Sequence, residues 1–340
     1  MTVTQAHIAK ALGVNQRTIS VAFGSSGRIS DEMRQKVLQT AKQMGYQPNR
    51  LAAGLRGAKT NSIGMIWHFA DIWSGDTAIA LSILRAVQEQ GYQVYQSQLP
   101  SDIQSLCKQI DEMKSRRVDA LVISGIADQL EHPQVAQRLK SMQVVVAISP
   151  VPLQDFPGDL VVLDRLDAIR QVMKYWSERG RRKPIFVIDV DKRYNPHKCR
   201  VFIEECQRYG MTHENMLLDH GKVTDPEQMG TQHLAAFNKA YPDDLQGVDA
   251  IFTFNDIGAL YIMRELQQRG VKIPQQVAIV GFNDIEAGRI WQPALATGNR
   301  KRHEVSDAVM QMLNSRLNEQ DIKPRTHAVH MEFLLRASAG

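Results

Sequence analysis

The sequence predicts a small all-α head carrying a helix-turn-helix, joined by a hinge helix to an α/β body of two lobes. Three observations point there. The first 60 residues hold nine cations against two anions, net +7, while the other 280 hold 32 against 34, net −2. Those 60 residues place apolar side chains at helical spacing, interrupted at Gly13 and Gly45. Beyond them, short apolar runs alternate with helical patterns, which is the signature of parallel, doubly wound sheets.

Composition sets the outer limits. At 340 residues the chain exceeds one small domain, and its 43% hydrophobic and 23% charged residues are those of a soluble globular protein. Cys107, Cys199 and Cys206 form no CxxC pair and are odd in number, so we expect a reduced, intracellular chain without disulfides or a zinc site. The start "MTVTQAHIAKALG" has no apolar signal core, and no run approaches the ~18 apolar residues of a membrane span. The expectation is a cytoplasmic protein with no membrane partner. A basic head on a near-neutral body fits a polyanion binder; the alternative is a solvated basic face.

In the head, Thr4 caps a helix through Leu12 with Ile8, Ala9 and Leu12 as its stripe. Gly13-Val14-Asn15 breaks it. Gly13 permits a positive φ and Asn15 caps the next helix, Gln16 to about Phe23. Ile19, Ala22 and Phe23 should face inward there, leaving Gln16, Arg17, Ser20 and Val21 elsewhere on the surface. Ser30 caps a third helix, with Asp31 and Glu32 in its first turn and Met33, Val37, Ala41 and Met44 buried. Two short helices around a glycine turn, closed by a third, make a helix-turn-helix, although a plain three-helix bundle shares the pattern. Next, 49–56 can form only a short helix, weakened by Gly54 and below the about 12–15 residues at which isolated helices hold. It should order on a partner; Leu55 and the flanking arginines suit a wedge in a DNA minor groove.

The body reads as two successive α/β units. "SIGMIW", "YQVYQSQ", "VDALVIS" and "VVVAIS" are strands of the first, separated by helices near 77–90, 103–115 and 133–141. "LVVLD", "KPIFVID", "MLLD", "AIFTF" and "VAIVGF" are strands of the second, with helices near 168–179, 199–209, 226–241 and 257–269. Two such units imply a cleft, and ligands of these sheets bind beyond the carboxyl ends of the strands. Trp67, Trp73 and Trp291 are candidate pocket aromatics on that ground. No Walker loop, GxSxG or HExxH occurs, and His197 with Cys199 lacks the further ligands of a metal site. We therefore expect no catalytic residues, no metal and no cofactor.

The stretch "TQAHIAKALGVNQRTISVAFG…ISDEMRQKVLQTAKQMGYQPNRLAAGLRGAKTNSIGMI" resembles the lactose-repressor (LacI/GalR) family of transcription regulators. The matching pattern is the IAxxxGV turn, the TxS of the second helix, the GYxPNxxAxxL joint and the SIG opening the body. The body, through "RRVDALVIS", "FTFNDIGALYIMRELQQRGVKIPQQVAIVGFND" and "FLLRASA", is similar to that family's type I periplasmic-binding-protein-like effector domain. The resemblance implies a DNA-binding domain at 1–48, a hinge and linker at 49–60, and a ligand-binding and dimerisation domain at 61–340. Lobe one would hold about 61–161 and 291–320, and lobe two about 162–290 and 321–340. The crossings between them would lie near 160–163, 286–298 and 321–326.

In the head, the resemblance implies that Gln16 and Arg17 read bases, with Val21 beside them. Thr4, Thr18, Ser20 and Asn49 would hold phosphates. Ala52 and Leu55 would enter the minor groove. Val21 stands where most relatives carry Arg or Lys, and Gly24 where they carry Asn. In the body it implies Arg200 as the ligand-gripping arginine, Asn255 bonding ligand hydroxyls, and Asn283 with Asp284 in place of the "GFDD" acids. Arg200 also reads as a surface position, and Asn255-Asp256 as a helix cap. Ile203-Glu204 replace the usual Gly-aromatic pair. "HGKVTDPEQMG" lacks a common aromatic, and "PALATGNRKR" replaces "PPLTTV".

The functional expectation is a ligand-responsive repressor of sugar or related catabolic genes, binding near-palindromic double-stranded operator DNA as a homodimer. The rivals are a regulator with a non-sugar effector or none, and a sugar-binding protein or enzyme on the same two-lobed fold.

Overall fold

The computed structural model describes residues 3–23, 29–46, 59–68, 75–188, 195–212, 217–219, 228–319 and 323–340. The expected hinge helix, with Asn49, Ala52 and Leu55, lies outside the described residues, as do Gly24 and Trp73.

The head is three helices, α1 Gln5–Leu12, α2 Gln16–Phe23 and α3 Asp31–Gln43. Gly13 takes φ +66°, the left-handed turn that only glycine adopts cheaply. Val14 N then bonds Ala9 O at 3.0 Å, closing α1 and turning the chain into α2. Ser30 Oγ accepts from Met33 N at 3.3 Å and starts α3. Ile8, Ala9, Ile19, Ala22, Val37 and Ala41 form the core, flanked by Phe23 against Tyr46.

The body holds two six-stranded sheets. The first runs β11-β5-β4-β3-β1-β2, all parallel: β1 Ser62–Trp67, β2 Gln93–Gln98, β3 Ala120–Ser124, β4 Val145–Ser149, β5 Asp159–Asp164 and β11 Thr326–His330. Between its strands lie α4 Gly75–Glu89, α5 Ile103–Ser115, α6 Ala127–Leu130 and α7 Pro133–Lys140. The second sheet runs β12-β10-β9-β8-β6-β7: β6 Pro184–Ile188, β7 Leu217–Asp219, β8 Ala250–Thr253, β9 Ala278–Phe282, β10 Ala296–Asn299 and β12 Glu332–Leu334. Only β12 is antiparallel in it. Its helices are α8 Asp167–Glu178, α9 Asn195–Arg208, α10 Met229–Ala240, α11 Asp256–Gln268 and the short α12 Glu286–Ile290. Helix α13 Arg302–Asn318 follows β10 and packs on α4 of the first lobe. Among the described residues, no helix is long and apolar enough to cross a membrane.

Sheet membership moves all three expected crossings. All of β5 pairs in the first sheet, so the first crossing lies between Asp164 and Asp167, not at 160–163. The segment "ATGN" is not part of a crossing: Ala296 pairs with Val280 in the second sheet, and the chain crosses between Asn299 and Arg302. The third crossing falls between His330 and Glu332, because Thr326–His330 pairs with β5. In each case a strand of four to six residues continued past the expected boundary.

Asp159 shows what holds the first lobe's edge. It is fully buried at the start of β5, yet accepts from Arg316 Nη2 at 2.8 Å, Arg325 Nη2 at 2.8 Å and Arg325 N at 2.9 Å. One carboxylate thus ties α13 and β11 to β5. Burial works to raise its pKa, but the two guanidiniums outweigh it and the net shift is downward. A depressed pKa contributes stability above the unfolded value of about 3.9 and loses it as pH falls through the folded one. Asp159→Asn should cost about 3 kcal/mol at pH 7, the low end for a broken buried pair because Arg325 is part-exposed. Urea midpoints should show that loss at pH 7 and a much smaller gap between the two proteins at pH 3.

Candidate functional site

The head exposes the start of α2. Asn15 Oδ1 accepts from Arg17 N at 2.8 Å, which fixes the first turn. Gln16 and Arg17 are exposed side by side, while Ile19 and Ala22 face the core. Thr18, Ser20 and Val21 are half-buried on the flanks, and Thr4 is exposed at the start of α1, its N–H donating to His7 Nδ1 at 3.3 Å. The structure thus presents two long polar side chains at a capped helix N-terminus, with short hydroxyl residues around them. The sequence reading counted Arg34 only as charge. Its Nη1 donates to Ala22 O at 2.8 Å and ties the last turn of α2 to α3. The orphan carbonyls of a helix end were the available signal.

The second site lies where the carboxyl ends of the strands meet the crossings. Asp76, in the first turn of α4, receives Arg165 Nη2 at 2.6 Å and Arg300 Nη1 at 2.7 Å. Arg165 follows β5 and Arg300 follows β10, so one carboxylate of the first lobe holds two of the crossings. Burial would raise the Asp76 pKa, but Arg165 and Arg300 together keep it well below the usual carboxylate range. Burial lowers that of Arg300, Asp76 opposes, and Arg165 adds to the lowering. Arg300 lies flat against Gly75, whose absent Cβ would sit 2.6 Å from its Nε.

On the second lobe Lys198 lies near two aromatic rings. It is 2% exposed, with Nζ 4.2 Å from the Phe254 ring centre and 5.1 Å from that of Phe282. Arg300 Cζ is 6.0 Å from the Phe282 centre. Behind these, Asp256 Oδ1 accepts from Thr297 Oγ1 at 2.6 Å and its Oδ2 from Ile285 N at 2.8 Å. Burial raises its pKa to about 6, those two bonds opposing. Among the described residues no group of three His, Cys, Asp or Glu could hold a metal ion.

Several expected ligand residues are placed otherwise. Arg200 is 65% exposed and lies 3.7 Å from Glu204 across one helical turn. The helical period turns Lys198, Val201 and Phe202 inward instead. Trp67 is core; its Nε1 donates to Asp76 O at 2.9 Å and steadies the start of α4. Trp291 is half-buried and packs against the core that α10 and α11 share, not the cluster that holds Phe282. Asn255 is the cap of α11, its Oδ1 accepting from Gly258 N at 2.8 Å and its Nδ2 against Met229 Sδ. Asp284 is taken by Arg289 at 2.6 Å and by Arg336. Asn283 and Asp284 both have positive φ, and Asn283 Oδ1 is buried with no hydrogen-bond partner among the described residues. The placement of Lys198, Arg165 and Arg300 was not legible in the sequence, because their neighbours in space come from separated stretches.

Residues 6–49 match the family described as bacterial regulatory proteins, lacI family, and residues 173–339 match the periplasmic binding protein-like domain. The chain is 25% identical over 292 residues to the HTH-type transcriptional regulator DegA of Bacillus subtilis, covering 85% of this chain and 84% of that one. It is 21% identical to the HTH-type transcriptional repressor PurR of Mannheimia succiniciproducens, covering 97% of each. The crystal structure of the lac repressor dimer bound to operator and the anti-inducer ONPF superposes with TM-score 0.82, 17% identity and 99% coverage of both chains.

Gly75→Ala should push the Arg300 guanidinium off the start of α4 and cost about 1–3 kcal/mol by overpacking. Arg200→Ala should stay within about 0.5 kcal/mol, as an exposed position does. Chemical denaturation of the two variants checks both; equal losses would contradict this placement of the basic residues.

Proposed function

We propose that this chain, which belongs to the lacI family of bacterial regulatory proteins and is a DNA-binding transcriptional regulator rather than an enzyme, binds a near-palindromic operator as a homodimer. Binding represses the adjoining genes, and a small molecule in the interlobe cleft sets the affinity. The observation that carries the reading is the exposed Gln16–Arg17 pair at the capped start of α2, within a first 60 residues of net charge +7. A helix N-terminus bearing such side chains is what enters a major groove.

Arg17 suits guanine O6 and N7, and Gln16 suits adenine N6 and N7. Thr4, Thr18, Ser20 and Asn49 hold phosphates and so set the register. Ala52 and Leu55 of the hinge enter the minor groove between the half-sites. Two heads on one dimer place their helices about one helical turn of DNA apart. The protein acts where the DNA is, in the cytoplasm. Val21 can touch a thymine methyl but cannot bond a guanine, so the operator departs from the relatives' half-site at that base.

A sugar effector is the family expectation, and one observation favours another class. Asn255, expected to bond ligand hydroxyls, is engaged as a helix cap, Asn283 stands in place of an acid, and the remaining Asp284 accepts from two arginines.

Titration with a short palindromic duplex should give sequence-selective binding that weakens steeply with salt. Absence of selectivity over scrambled DNA would end the proposal. Arg17→Ala should lose about 1–3 kcal/mol of discrimination at one base pair per half-site. Equal losses on operator and random DNA would remove its base-reading role. In site selection, Val21→Arg should change the preferred base at a single symmetric position.

A further inference from the structure

We propose that Asp119 is a positioning residue for operator reading. It fixes where the chain leaves the body for the head, and so sets the half-site spacing that the dimer accepts. This rests on the regulator reading and names a determinant of its specificity.

The chain enters the body over residues 59–62, and that short stretch is held from three sides. Asp119, 7% exposed just before β3, accepts from Thr60 N at 2.9 Å on Oδ1 and from Ser62 N at 3.2 Å on Oδ2. Its own N–H donates to Ser62 O at 2.8 Å. Thr60 Oγ1 donates to Arg117 O at 2.9 Å, in the turn after α5, and pairs with Ser62 Oγ at 2.7 Å. Asn61 O accepts from Gln93 N of β2 at 2.8 Å. Lys59 Nζ donates to Leu317 O, in the last turn of α13, at 2.7 Å. Asn61 takes φ +50°, a left-handed conformation that asparagine tolerates, so the chain bends just before β1. Residues ahead of a strand are ordinarily free to swing. Here one buried carboxylate extends the hold to Thr60, upstream of β1, through bonds that its charge strengthens.

Such an anchor matters because of what lies next to it. A tether governed by entropy alone tolerates a changed span, since its closure cost varies slowly with length. A tether ordered by DNA over 49–56 leaves residues 57 and 58 before Lys59, and it passes the anchor's position on to the head. In a twofold dimer each anchor occurs twice. The two anchors then fix the distance and phase between the heads. One base pair added between half-sites rotates one against the other by about a tenth of a turn. A fixed anchor resists that rotation and a loose one absorbs it.

Site selection with the full-length protein supplies its preferred duplex. That duplex is remade with one base pair inserted or removed between half-sites, and separately with one half-site base exchanged. Fluorescence anisotropy at fixed salt reads each affinity. The wild type should lose about tenfold or more on each respaced duplex. Asp119→Asn keeps one acceptor oxygen and makes the other a donor, so it cannot serve both N–H groups. Its loss on respacing should shrink to about threefold or less, while its loss on the exchanged base matches that of the wild type. Thr60→Val should shrink the respacing loss in the same direction, and it decides if Asp119→Asn fails to fold. Val122→Ala, a truncation of a fully buried side chain in β3, controls for lost stability and should keep the wild-type respacing loss. The inference is overturned if the clamp variants keep the wild-type respacing loss, or if they lose base discrimination equally. It is also overturned if Val122→Ala relaxes spacing as much, or if the wild type ignores spacing. Absence of any preferred duplex sinks the regulator reading itself. A preferred duplex with any of the other adverse outcomes sinks only the role of Asp119.

Discussion

The contact on which the body depends most is the one carboxylate of Asp76 set between Arg165 and Arg300. Two of the three chain crossings pass through those arginines, so the angle between the lobes is tied to the first turn of α4. The third crossing is tied by Asp164 and Gln171. Met331 N donates to Asp164 O at 3.0 Å, Gln171 Nε2 to Met331 O at 3.1 Å, and Phe333 N to Gln171 Oε1 at 2.9 Å. These are polar contacts in a part-wet place. Beside them one buried apolar cluster runs from Val161 and Leu163 of the first sheet through Met331 to Phe282 and Ala296 of the second.

The head was legible in the sequence almost residue by residue. Its signals are local: a glycine that needs φ above zero, an asparagine cap, and apolar residues at i and i+4. The strand and helix alternation of the body was legible for the same reason as far as Phe282. What followed was not. Helix α13 buries Val305, Ala308, Val309, Met312 and Leu313 on more than one face, since it is pressed between α4 and the first sheet, and its apolar period is blurred. Strand β10 reads Ala-Thr-Gly-Asn, with nothing β-branched but Thr297, and its neighbours in the sheet decide it. The inward-facing basic residues were the least legible. Arg200 and Lys198 differ by two positions on one helix, and only the packed helix tells which faces in. Arg165 and Arg300 share a partner that lies 89 positions from one of them.

The path from cleft to head is built from contacts of unequal strength. Helix α4 starts at the cleft with Asp76 and packs along α13. Leu317 O, in the last turn of α13, accepts from Lys59 Nζ at 2.7 Å, and Lys59 is where the described chain resumes after the head. Thr60 N donates to Asp119 Oδ1 at 2.9 Å and Ser62 N to Asp119 Oδ2 at 3.2 Å, so the entering chain is clamped to the first lobe before β1 begins. Continuity of this kind is not coupling; coupling requires an element with two arrangements that both sites bias. The clamp at Asp119 argues that the entering chain does not slide against the first lobe. The element with two arrangements is therefore to be sought at the angle between the lobes, which the contact of Asp76 with Arg165 and Arg300 sets.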